Sequence, residues 1–201
     1  MSLKQETVNT YNISAEGLAK KFDAIGPRVK DIDYVFSHCE KENPTVLEIG
    51  CGNGRDAREI CKRTNKYLGI DISVELLKIA RYDLPNIDFQ YADVEEYMFP
   101  KNIDIVFAFA SLIHVPRESF QKILQNIFSS LSENGLLFIS LKYSDHYQEV
   151  TKTDEFGTRT YWYYSQEDIV EIAKQFLLES VTIQNVQDQL WMDVLLRKNN
   201  S

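Results

Sequence analysis

The chain has 201 residues, 44% hydrophobic and 12% aromatic: enough for one buried core, too short for two ordinary domains, and too apolar for a disordered chain. Its formal charge of −8, with no basic run longer than Lys20-Lys21 and Arg197-Lys198, gives a phosphate backbone little to bind, so no nucleic acid is expected. No stretch approaches the roughly 20 apolar residues of a membrane span, and residues 1–10 are polar rather than signal-like, so a soluble, cytoplasmic, non-membrane protein is expected, as monomer or homodimer.

In chain order, Tyr11 and then Ser14 precede a short helix pattern over Ala15–Phe22, with Ser14 as N-cap. After Gly26-Pro27, the spacing of Val29, Ile32, Val35, Phe36 and Cys39 predicts an amphipathic helix. Asn43-Pro44 breaks it, and Val46–Ile49 reads as the first strand. A helix is predicted from Arg55 to Thr64. A second strand follows around Tyr67–Ile72, then a helix from Ser73 to Arg81 with Leu76, Leu77 and Ala80 inward, a third strand from Phe89, and a short helix over Val94–Phe99. Ile103–Phe109 is so apolar throughout that it must be a strand buried on both faces. Pro116 stands at the first turn of a helix running to Leu131, Asn134-Gly135 closes it, and a fifth strand runs to Leu141.

The segment 142–164 shows no clear period. It is rich in aromatic residues (Tyr143, Tyr147, Tyr161, Trp162, Tyr163, Tyr164) and carries His146 and Arg159. Long connections of this kind serve as lids or binding loops, and the alternative is a strand-like run over Tyr161–Tyr164 packing on the sheet. Ser165 and Asp168 open a last helix. Two β-rich runs, 178–186 and 190–197, joined by Gln187-Asp188-Gln189, then read as an antiparallel pair. Alternating strands and helices give a parallel sheet covered on both sides. One domain over 1–201 is expected, with 1–43 as a helical cap and 142–164 as a substrate lid.

The chemistry concentrates at Val46–Ala57, where a strand ends in glycines at alternate positions, Gly50, Gly52 and Gly54. Glycine admits positive φ and removes the Cβ that would hold a ligand off the backbone, and the free N–H groups of the next helix suit a carboxylate or phosphate. The dinucleotide spacing G-x-G-x-x-G would place its last small residue at Arg55. Glu48 beside the turn would repel a pyrophosphate and attract an ammonium or sulfonium. The three cysteines lack C-x-x-C spacing and the three histidines are far apart, so neither a disulfide framework nor a metal site is indicated.

The run Glu48-Ile49-Gly50-Cys51-Gly52-Asn53-Gly54 resembles motif I of the class I S-adenosylmethionine (SAM)-dependent methyltransferases. Tyr67–Ser73, Phe89–Val94, Ile103–Val115 and Leu131–Ile139 resemble, in order, that family's second, third and fourth strands and its turn into the fifth. The resemblance covers roughly 44–196. It implies an α/β, Rossmann-like doubly wound sheet of seven strands, order 3-2-1-4-5-7-6 with strand 7 antiparallel. It also implies SAM as cofactor and S-adenosylhomocysteine (SAH) as product. Carried over by position, Asp71 would hold both ribose hydroxyls and Asp93 would face the adenine amino group, with Ile72 and Val94 beside them. Gly50, Cys51, Gly52, Gly54, Arg55, Asp56, Phe109 and Ala110 would surround the aminoacyl end, Asp56 acting either as ligand contact or as helix N-terminal charge.

Methyl transfer needs mainly alignment of its partners, which is worth about 7–11 kcal/mol, so a base is optional. His114, at the rim after the fourth strand, and Tyr11, a lid residue in the resembled family, are the catalytic candidates. Tyr143, His146, Arg159 and Tyr161 are the substrate-binding candidates. The acceptor expected is a small molecule. Alternatives are a protein or RNA acceptor, or a regulatory module that binds SAM or a nucleotide without catalysis.

Overall fold

The structure, a computed structural model, describes residues 1–176, 178–186 and 190–199. The expected link at Gln187–Gln189 lies outside these residues. The sheet has nine strands among the described residues instead of the expected seven, and seven of them keep the order implied by the resemblance: β3 (Phe89–Tyr91), β2 (Lys66–Asp71), β1 (Thr45–Ile49), β4 (Ile103–Phe109), β5 (Leu131–Tyr143), β9 (Trp191–Lys198) and β8 (Leu178–Val186). β9 runs antiparallel to β5, pairing Leu136 with Arg197 through to Lys142 with Trp191. This is the order 3-2-1-4-5-7-6.

Side chains of the central strands alternate between two cores because successive Cβ atoms point to opposite faces. On β4, Ile105, Phe107 and Phe109 pack with Ile32 and Val35 of α3 (Val29–Ser37), Ala57 and Ile60 of α4 (Ala57–Ile60), and Leu77 and Ala80 of α5 (Val74–Asp83). Ile103, Val106 and Ala108 pack with Phe120, Ile123, Leu124 and Ile127 of α6 (Arg117–Ser130) and with Ile169 and Ile172 of α7 (Gln166–Gln175). Ser165 and Asp168 complete the predicted capping box of α7. No helix among the described residues is long and apolar enough to cross a membrane.

Four local expectations change. Residues Leu3–Ile13 form a helix, α1, with a capping box between Ser2 and Gln5, and Tyr11 lies in its last turn rather than ahead of the first helix. Ser14 makes no capping bond to α2 (Ala15–Ile25), because its hydroxyl donates instead to the Phe156 carbonyl at 2.6 Å. The predicted helix 55–64 keeps one regular turn, α4. The predicted helix 94–99 is absent: Asp93 accepts from the Glu95 amide at 3.1 Å, and an Asp93–Glu96 turn takes its place.

The aromatic segment 142–164 is largely a β-hairpin, β6 (Gln148–Asp154) with β7 (Gly157–Tyr164), in register Gln148–Tyr163 through Asp154–Gly157. β7 continues beside the end of β5 through Lys142–Tyr163 and Tyr143–Tyr164. Alternation sorts its side chains: Trp162 and Tyr164 enter the core, whereas Arg159, Tyr161 and Tyr163 face a cavity.

Candidate active site

A cavity of about 720 Å³ opens over the C-terminal ends of β1, β2, β4 and β5, where ligands of open α/β sheets bind. Its floor is the glycine turn. The amides of Gly50 and Cys51 both donate to the Ile70 carbonyl, at 2.7 and 3.1 Å, which ties the turn to β2. Gly50, Gly52 and Gly54 have φ of 74°, 54° and 78°, and their surroundings differ. A Cβ on Gly50 would stand 2.2 Å from that of Ser111, whereas one on Gly52 would meet only Leu76 Cδ1, at 3.9 Å. Gly50 therefore serves packing, and Gly52 presents bare backbone to the cavity. Gly54 does not line it: a Cβ there would meet Leu84 at 2.9 Å and Phe89 at 3.1 Å, so its placement at the ligand is corrected to helix–sheet packing.

Asp71 pins this floor. One carboxylate oxygen accepts from the Gly52 amide at 2.8 Å and the other from the Ser73 amide at 2.7 Å. A carboxylate has about four lone-pair sites, so acceptor capacity remains beyond these bonds. Burial raises the Asp71 pKa against the lowering effect of these amides. Ile72, Leu76, Ala92 and Val94 give the adjoining cavity wall its apolar character. Asp93 lines it too, held by Lys4 of α1 at 2.5 Å.

At the other end of the turn, Glu48 is 1% exposed and accepts from the Tyr67 hydroxyl at 2.5 Å. Burial, aided by the negative charge of Asp56, pushes its pKa well above the usual carboxylate range. Asp56 is an ion-pair hub and makes no capping bond. It accepts from the Arg28 amide and guanidinium, both at 2.8 Å, and from Arg55 at 2.5 Å. Arg28 in turn lies 5.1 Å from the Phe109 ring centroid. Cys51, Arg55, Phe109 and Ala110 line the cavity as placed by sequence. Among the described residues no group of three or more His, Cys, Asp or Glu is arranged to hold a metal.

Tyr11 and His114 meet across the cavity. His114 Nδ1 lies 2.6 Å from the Thr160 carbonyl, which can only accept, so Nδ1 carries the proton. Nε2 is then an acceptor, and the Tyr11 hydroxyl, 2.9 Å away, donates to it. Burial, with the positive charges of Arg159 and Lys142, lowers the His114 pKa to about 4, so the ring is neutral at pH 7. Burial pushes Tyr11 well above the ordinary tyrosine value. Arg159 lies 5.6 Å from the Tyr11 ring centroid and 5.9 Å from that of Tyr161. Tyr143 and His146 do not line the cavity, a correction to their placement as substrate contacts. Tyr143 follows the cavity-lining Lys142 on β5, so alternation turns its ring to the other face, against the core, and its hydroxyl donates to Asp145 at 2.9 Å.

A roof joins the two halves. Thr10 of α1 donates to the Thr158 carbonyl at 2.7 Å, the Thr160 amide donates to Thr7 at 3.1 Å, and Ser14 reaches Phe156. Sequence reasoning missed Lys4, Thr7, Phe22, Arg28, Lys142, Lys152, Trp191 and Asp193, all of which line the cavity. None of them stands in a motif, and only the fold brings them together from elements far apart in the chain.

Residues 46–135 match the family described as a methyltransferase domain. The chain is 28% identical over 133 residues to malonyl-[acyl-carrier protein] O-methyltransferase 1 of Ilyobacter polytropus, covering 64% of this chain and 44% of that protein. It is 30% identical over 132 residues to a ubiquinone biosynthesis O-methyltransferase of Xanthomonas euvesicatoria, covering 63% and 54%. The chain thus spans about half the length of these curated relatives. A TehB-like SAM-dependent methyltransferase of Corynebacterium glutamicum shares the fold at a TM-score of 0.71, with 18% identity, 93% of this chain and 99% of that one.

Proposed function

We propose that this chain, as a class I SAM-dependent methyltransferase, binds SAM on the glycine turn and methylates a small-molecule acceptor beneath the roof of α1 and β6–β7. The observation that carries this reading is the continuity of one cavity from Gly52 and Asp71 to Tyr11 and His114.

The residues fit the cofactor. The open face of Gly52 is a cradle that a Cβ would fill. The spare lone pairs of Asp71 would take the ribose hydroxyls, and the wall of Ile72, Leu76 and Val94 would flank the adenine. Arg28, fixed by Asp56, would meet the aminoacyl carboxylate, while the buried acid Glu48 suits the ammonium, whose charge would offset its desolvation. When bound, SAM supplies a methyl carbon whose bond to sulfur breaks, the electron pair leaving on sulfur, as the acceptor's lone pair bonds to carbon. The chain's own work is to hold the partners in line and keep water out, worth about 7–11 kcal/mol. In this reading 142–164 is the substrate lid in the form of a hairpin.

A small acceptor is favoured because the roof is bonded through Thr7, Thr10 and Ser14 to β7 and its turn, which partly covers the cavity. The names of the curated relatives, both O-methyltransferases, support an oxygen acceptor. Calorimetric titration with SAM, SAH and NAD tests the cofactor: micromolar binding of the first two without NAD is expected, and no binding of either sulfur ligand overturns the reading. A screen of small acceptors by SAH release follows.

A further inference from the structure

Three cations converge on the acceptor half of the cavity. Arg159 on β7 stands directly opposite Lys152 on β6, and Lys142 on β5 pairs in register with Tyr163 of β7. All three line the cavity. Like charges directly opposite on a sheet oppose one another, so this arrangement costs stability unless something negative lies between them. The acid that answers is Asp154, which pairs with Arg159 through one guanidinium nitrogen. Lys152 donates to the Tyr163 hydroxyl at 2.8 Å. Lys142 sits 3.7 Å from the Trp191 ring centroid and makes neither hydrogen bond nor ion pair among the described residues.

Arg159 supplies a second, independent sign. Its residue exposure is 7%, and its Nε is buried without a hydrogen-bond partner. Buried donors are nearly always satisfied, and one left unpaired calls for a missing partner. A guanidinium that lines a cavity and keeps one donor unmet can match an oxygen of a carboxylate or phosphate.

We propose that Arg159 and Lys142, with Lys152 beside them, form an oxyanion subsite, so that the methyl acceptor is a small acid bearing a carboxylate or phosphate group. This rests on the methyltransferase reading above and names its substrate class. The state of His114 agrees with it. Both ring nitrogens are engaged and the ring is neutral among cations, a poor sink for a proton. An acceptor whose reacting oxygen is already an anion has no proton to lose.

The test is calorimetry on the SAH-saturated protein with benzoate, phenyl phosphate, inorganic phosphate and the uncharged benzamide. At least one oxyanion is expected to bind, with benzamide at least tenfold weaker, and Lys142→Met and Arg159→Gln each weakening the oxyanion at least tenfold while SAH affinity stays within twofold. Benzoate against the two phosphates tells which oxyanion is preferred. Because Arg159 is buried, Lys142→Met, at a half-buried position, keeps the test open if the other variant fails to fold. Binding of benzamide as tight as benzoate, oxyanion binding unchanged in Lys142→Met, or no oxyanion binding to a protein that holds SAH would each overturn the subsite. Failure to bind SAH at all would instead strike the methyltransferase reading.

Discussion

Replacing Gly52 by alanine separates ligand contact from packing within one turn. At φ of 54° an L-residue costs about 1–2 kcal/mol, and the new methyl meets nothing closer than Leu76 at 3.9 Å, so no clash adds to that strain. The Gly52 amide still donates to Asp71. Against the 5–15 kcal/mol typical of a domain, the variant folds. Its methyl nevertheless stands on the cavity face, and SAH affinity should fall at least tenfold, or about 1.4 kcal/mol. Gly50→Ala should behave in the opposite way. Its Cβ would overlap that of Ser111 at 2.2 Å and push aside a hydroxyl that donates to the Ile49 carbonyl at 2.6 Å. Strain of about 1–2 kcal/mol plus overpacking of about 1–3 kcal/mol gives a loss of about 2–5 kcal/mol. Urea unfolding and SAH calorimetry on both variants decide the matter. Gly52→Ala binding SAH with an unchanged Kd would refute the assignment of the turn's open face to the ligand.

Asp71→Ala removes the acceptor that pins Gly52 and Ser73, and should cost about 1.5–3 kcal/mol of SAM affinity by calorimetry; an unaltered Kd would exclude Asp71 from the pocket. Tyr11→Phe leaves His114 Nε2 without its donor and should lower stability by about 1–3 kcal/mol, and with acceptor in hand should cut turnover while SAH affinity holds; unchanged stability would dissolve the Tyr11–His114 pair. His114 has an unfolded value near 6.5 and a folded value of about 4, so the unfolded chain binds more protons between them. Its contribution is complete above pH 6.5 and is lost as pH falls toward 4, at most about 3 kcal/mol. Denaturant melts across that window should be steeper in pH for the wild type than for His114→Gln, and equal slopes would count against the buried neutral ring.

What the sequence disclosed follows from where its signals are local. The glycine turn is written in consecutive residues, and the apolar run Ile103–Phe109 can hardly be anything but a doubly covered strand. Most of the residues named around the turn therefore line the cavity, whereas the missing side chain of Gly54 makes room for Leu84 and Phe89. Helix α1 stayed hidden because it docks by the hydroxyls of Thr7 and Thr10 instead of an apolar stripe, so its residues show no hydrophobic period. The hairpin β6–β7 was obscured because the side of β7 that faces the cavity is itself aromatic and cationic, Arg159, Tyr161 and Tyr163, and the usual alternation of apolar with polar is lost.

The same long-range bonds that escaped the sequence determine what the site can accept. Arg28 reaches the glycine turn across 28 positions through Asp56, and Tyr11 reaches His114 across 103. Thr7 binds the backbone of β7 at Thr160, the residue whose carbonyl fixes the His114 tautomer. The roof, the proton position on His114 and the placement of Arg159 one residue earlier on the same strand are thus one mechanical unit. Loosening α1 from β7 would release the imidazole and the cationic edge together. A double change, Thr7→Val with Thr10→Val, removes the two hydroxyl links while keeping side-chain shape. It should therefore weaken oxyanion binding and flatten the acid dependence of stability in parallel, with the glycine turn and its SAH affinity left in place. A loss of SAH binding equal to the loss of oxyanion binding would show that roof and floor are not the separable parts described.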